Sequence, residues 1–80
     1  MPKLRRVSGQ EAILVLERLG FVQVRQRGSH VILNKQTPER EVGCVVPLHQ
    51  EVAIGTLQGI LKQAGVTPDE FMKILQSEKS

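Results

Sequence analysis

The spacing of apolar residues changes period twice along this chain, and no other feature constrains the fold as tightly. Ala12, Ile13, Leu16 and Leu19 recur at helical intervals on one stripe. Ser8, three residues before Glu11, supplies a capping box for the start of that helix, and Gly20 suits the left-handed conformation that stops it. From Phe21 onward the period falls to two. Phe21–Gln26 and Ser29–Lys35 are β-rich runs that meet at Arg27-Gly28, where glycine supplies the positive φ of a tight hairpin turn. Gln36–Arg40 is a polar loop, and Glu41–Val46 reads as a third strand ending before Pro47. Helical spacing then returns with Leu57, Ile60, Leu61 and Ala64, and Gly65 is the stop. Thr67-Pro68-Asp69-Glu70 is a second capping box, opening a short last helix whose Phe71, Ile74 and Leu75 share a face.

This order predicts an α+β fold. Three strands on short connections make an antiparallel meander, and helices gathered on one face make a two-layer sandwich. The 80 residues fill one core only, so 1–80 is read as a single domain with an ordered core from about residue 3 to residue 75. A chain of this size buries roughly 60% of the surface that its unfolded form exposes. Leu14 falls off the first helical stripe and is read as packing against a neighbouring element or touching a partner.

Composition excludes several classes. The single cysteine, Cys44, rules out an internal disulfide framework and a multi-cysteine zinc site. It alternates with Val42 and Val46 and reads as a small core hydrophobe. No apolar run approaches the ~20 residues of a membrane span, and the opening MPKLRRVSG lacks the hydrophobic stretch of a signal peptide, so a cytoplasmic protein is expected. With no Trp, no Tyr and two Phe, the chain has few platforms for stacking bases. Charge is uneven. Residues 1–40 hold eight basic and three acidic groups, net +5, whereas residues 41–80 hold three and five, net −2. A one-sided basic half suits a polyanion.

Phosphate loops, metal-ligand spacings and nucleophile elbows are missing from the sequence, which leaves the two histidines as candidates for chemistry. His30 follows Arg25-Gln26-Arg27-Gly28-Ser29 at the start of the second strand. Imidazole titrates nearest neutral pH, Arg25 and Arg27 can hold a phosphodiester, and Gly28 admits a ligand backbone. Strand alternation sets His30 and Ile32 on one face and Val31 and Leu33 on the other, so His30 faces outward if Val31 and Leu33 pack under the helices. The alternative role is a strand-start residue hydrogen-bonded to backbone. His49, in Pro47-Leu48-His49, reads first as a loop-positioning group and second as a catalytic one.

Several of these segments occur together in one known family. Val7-Ser8-Gly9, Leu19-Gly20-Phe21, Arg25-Gln26-Arg27-Gly28-Ser29-His30, Val46-Pro47-Leu48-His49, Gly55-Thr56-Leu57, Ile60–Gly65 and Phe71 together resemble the HicA mRNA interferase toxins, from about Lys3 to Leu75. Gln58 stands where many relatives carry a basic residue, and Val31-Ile32 where an aromatic often follows the histidine. The resemblance implies a double-stranded-RNA-binding-domain-like fold and metal-free cleavage of mRNA without a cofactor. It also implies neutralisation by a HicB antitoxin, with His30 as the catalytic residue. The accompanying expectations are Arg25, Arg27, Gly28 and Lys35 on RNA, with His49 and Ser29 as candidate catalytic support. No metal ligands and a free monomer complete that reading. A non-catalytic double-stranded-RNA-binding module and a protein-interaction domain are the alternatives.

Overall fold

The computed structural model describes residues 4–79; Lys3, at the start of the expected ordered core, and the other terminal positions lie outside the described residues. Ser8 caps the first helix, α1 (Gly9–Arg18). Its hydroxyl accepts from the Glu11 N–H at 3.0 Å while its own N–H donates to the Glu11 carboxylate at 2.9 Å. Both halves of the capping box are therefore closed, which satisfies two of the amides that every helix start leaves unpaired. Ala12, Ile13, Val15 and Leu16 turn inward, and Gly20 leaves the helix with φ near +100°.

The three strands are β1 (Val22–Arg27), β2 (His30–Gln36) and β3 (Glu41–Pro47), in spatial order β1-β2-β3 and antiparallel throughout. Each of the first two strands sits about one residue later than the sequence pattern suggests, and β3 keeps Pro47 as its last paired residue. Pro47 lacks an N–H, but it lies on an outer strand, where a ladder donor is dispensable. The hairpin turn holds Gly28 at φ +56°, a left-handed backbone that a side chain would strain.

Helix α2 (Ile54–Ala64) packs on β3, and α3 (Pro68–Lys79) packs on α1. The last helix is not short, as its sequence suggests, but the longest of the three at 12 residues. Its extra turn is held at the far end, where the Arg18 guanidinium meets the Glu78 carboxylate at 2.6 Å. Thr67 and Glu70 close a second capping box at its start. The core gathers Leu16, Leu33, Leu57, Leu61, Phe71 and Leu75, each at most 2% exposed. Burying one such side chain contributes ~1.5–3 kcal/mol, so the layer between helices and sheet carries most of the stability. The result is the double-stranded-RNA-binding-domain-like sandwich, open on one face of its sheet.

Two contacts fasten the corner after β3, one to the first helix and one to the hairpin turn. Gly9 donates its N–H to the His49 carbonyl at 2.8 Å, and Leu48 donates to the Ser29 carbonyl at 2.6 Å. A Cβ at residue 9 would stand 2.1 Å from the Pro47 oxygen, so this crossing admits only glycine. Val7 and Val52, both buried, form an isolated bridge beside it.

Candidate functional site

Directly paired residues of an antiparallel sheet share a face. Val31 and Leu33 are buried beneath the helices, together with their β3 partners Val46 and Cys44. The outer face of β2 is therefore His30, Ile32 and Asn34. Across from them on β1 stand Arg27, Arg25 and Val22, and on β3 stand Pro47, Val45 and Gly43. The first cross-strand row is thus Arg27–His30–Pro47 and the second is Arg25–Ile32–Val45. Neighbours in such a row have Cβ atoms ~4.5–5.5 Å apart, so two guanidinium groups border the imidazole and the apolar floor beside it.

A β-bulge at Val24 limits this grouping, because the register jumps between Gln23 and Arg25. Unbroken alternation would place Gln23 with Arg25 and Arg27. The extra residue turns Gln23 to the helix side with Gln26, and leaves Arg25 and Arg27 outside with His30.

His30, Arg25 and Arg27 are all exposed, and none makes a side-chain hydrogen bond or ion pair among the described residues. The imidazole is therefore not a strand-start group tied to backbone, and both of its nitrogens are open to a ligand. Ser29 is exposed at the turn, where its carbonyl holds Leu48. His49 is exposed and borders a crevice of about 280 Å³ with Ser8, Gln10, Leu48 and Gln50. The carbonyl of His49, not its ring, fixes the loop, through the bond from Gly9. The two histidines thus flank the Pro47-Leu48 corner without touching through a hydrogen bond.

Lys35 does not join this group. It pairs with Val42 on the helix side of β2, roughly 17 Å along the strand from His30. Its ammonium lies 5.9 Å from the centroid of Phe21, a cation–π contact at the other end of the domain. Cys44 is 3% exposed, and burial pushes its thiol from 9.0 up to about 11, so it is an inert core group. No three His, Cys, Asp or Glu side chains converge as a metal site among the described residues, nor is any helix there long and apolar enough to cross a membrane.

The arrangement offers an unpartnered imidazole, two unpaired guanidinium groups and an uncovered sheet surface. That set can hold a phosphodiester and move a proton beside it. No curated protein matches the chain closely. The family model for the HicA toxin of bacterial toxin–antitoxin systems matches residues 9–66, which include α1, the whole sheet and α2. The chain belongs to the HicA toxin family, whose members pair with an antitoxin.

Proposed function

We propose that this chain is a cytoplasmic endoribonuclease that cuts mRNA, with His30 as general base, and that a HicB-type antitoxin silences it. The observation that carries the reading is the cross-strand row that sets an exposed, unbonded His30 beside Arg27, with Arg25 in the next row. A phosphate held by Arg25 and Arg27 brings the adjoining ribose over the imidazole. His30 takes the proton of the 2′-hydroxyl, the 2′-oxygen bonds to the adjacent phosphorus, and the bond from phosphorus to the 5′-oxygen breaks. That oxygen leaves with a proton from His49 or from water, two routes that His49→Ala separates. The products are a 2′,3′-cyclic phosphate and a 5′-hydroxyl. Gly28 and Ser29, at the exposed turn, leave room for the RNA backbone. Lys35 lies on the other face and is assigned at most to a remote stretch of the same RNA.

Because RNA supplies the nucleophile itself, a single positioned base suffices to start the reaction. General acid–base help of this kind contributes about 10²–10⁴-fold. The test compares induced expression of wild type and His30→Ala, with growth and total RNA followed in both. Arrest with RNA fragmentation from the wild type alone is expected; equal arrest by both proteins sinks the role of His30. Purified protein should cut RNA in the presence of EDTA and leave DNA intact. Cleavage of DNA is incompatible with attack by a 2′-hydroxyl.

A further inference from the structure

Strand β1 is an outer strand with nothing over it. All six of its residues are exposed, including Val22 at 61% and Val24 at 54%. Its far edge pairs with no other strand among the described residues. Six residues present roughly 20 Å of such edge, a row of backbone donors and acceptors available to another chain. Proteins blunt such edges with cover or charge, and here the bulge and two arginines are the only such devices among the described residues.

Beside the edge, on the helix side, runs an open groove of about 460 Å³ between α1 and β1. Its floor is Ile13, Leu14, Val31 and Leu48, and Gln23 and Gln26 form its wall. Leu14, which lies off the helical stripe, is left 39% exposed along this groove. Glu17 at the rim already accepts from the Gln23 amide at 3.3 Å. On the opposite side of the same strand stand Arg25 and Arg27, without an acidic partner among the described residues.

An added strand would meet these two surfaces with alternate side chains, apolar toward the groove and acidic toward the arginines. A second copy of this chain does not fit, because pairing β1 with β1 sets four arginines against one another. We propose that the antitoxin binds by β-augmentation of β1, through an extended segment in which apolar and acidic residues alternate. This rests on the toxin–antitoxin reading and adds the mode of capture to it. The acidic residues occupy the cations that RNA needs, so one strand both anchors the partner and displaces the substrate.

The test uses the full chain, free and bound to a co-expressed HicB-type antitoxin, with amide hydrogen exchange read residue by residue. The amides of residues 22–27 that point away from β2 are expected to slow by about tenfold or more in the complex, since they would exchange only after strand opening. Leu14→Glu should weaken the complex by about tenfold while RNA cleavage by the free variant matches wild type. A complex in which residues 22–27 exchange as in the free chain overturns the proposal, as does Leu14→Glu binding like wild type. Protection of that edge on raising the concentration of the free chain gives the edge to self-association and also overturns it. Absence of any complex would instead remove the toxin–antitoxin reading beneath the proposal, whether or not the free chain cuts RNA.

Discussion

Strand β2 has a neighbour on each side, and the two neighbours could hardly be treated more differently. On one side β3 lies under α2, with Cys44 and Val46 buried. On the other side β1 has the same backbone ladder but no residue out of solvent. The ladder is thus shared while the cover is not. Stability is concentrated where helices press on β2 and β3, and the β1 hairpin is left free to carry unpaired charge. Beneath the helices, two unpaired guanidinium groups would be prohibitive, because burying an isolated charge costs far more than any hydrogen bond returns. On the uncovered flank they cost little and remain available for phosphate.

The sharpest way to break this division is to alter two residues of one strand. Leu33→Ala empties a fully buried position and should cost ~2–5 kcal/mol in denaturant unfolding. His30→Ala should leave the unfolding midpoint within ~0.5 kcal/mol of wild type. Its effect belongs to cleavage, where a loss of about 10²–10⁴-fold is expected. If His30→Ala unfolds the chain, or Leu33→Ala keeps full stability, the two flanks are not separate in function.

Alkaline pH probes the covered flank alone. The buried Cys44 thiol holds its proton up to about pH 11, against 9.0 for the free group. Its contribution is fully present below pH 9. Above that the unfolded chain gives up its proton first, so stability should fall as pH rises from 9 to 11, by at most ~2–3 kcal/mol from this group. Cys44→Ala should lack that part of the decline when unfolding is followed against pH.

A smaller effect is expected at the turn of the uncovered hairpin. Gly28→Ala meets no atom within 4 Å, so its penalty is purely that of a left-handed backbone, ~1–2 kcal/mol in the same unfolding assay. Smallest of all in stability are Arg25→Gln and Arg27→Gln, each within ~0.5 kcal/mol of wild type. They should show instead in RNA binding, each lowering the slope of log affinity against log salt by about 0.7. An unchanged slope removes that arginine from the phosphate contacts.

Much of the fold, and the outward face of His30, is legible in the sequence. Ser8 with Glu11, the turn at Gly28 and the alternation of Val31 with Leu33 fixed the helix start, the hairpin and the outward face of His30, because each depends on local backbone rules. What escaped notice depends on matches between distant segments. The bulge at Val24 has no glycine to announce it, yet it decides that Gln23 leaves the arginines. Lys35 is expected on phosphates with Arg25 and Arg27, but parity along β2 sends it to the other face. Val22 and Val24 have the β-branched character of a covered strand, and only the placement of the helices leaves them bare. The length of α3 was likewise hidden, since the Arg18–Glu78 pair that ties down its last turn joins residues 60 apart in sequence.

The crossing at Gly9 has a consequence for mutational tolerance. The arginines and the imidazole are exposed, so a scan of substitutions should find that surface permissive toward folding. Residue 9, buried and without a side chain to offer, should be the intolerant one. Even a methyl group there meets the Pro47 oxygen and, at 2.9 Å, the Leu48 Cα. Helix and corner would have to part, and the bond from Leu48 to Ser29 would carry that movement to the residue before His30. The variation that this toxin can accept is therefore bounded from behind its uncovered sheet face, by the space of a single hydrogen atom.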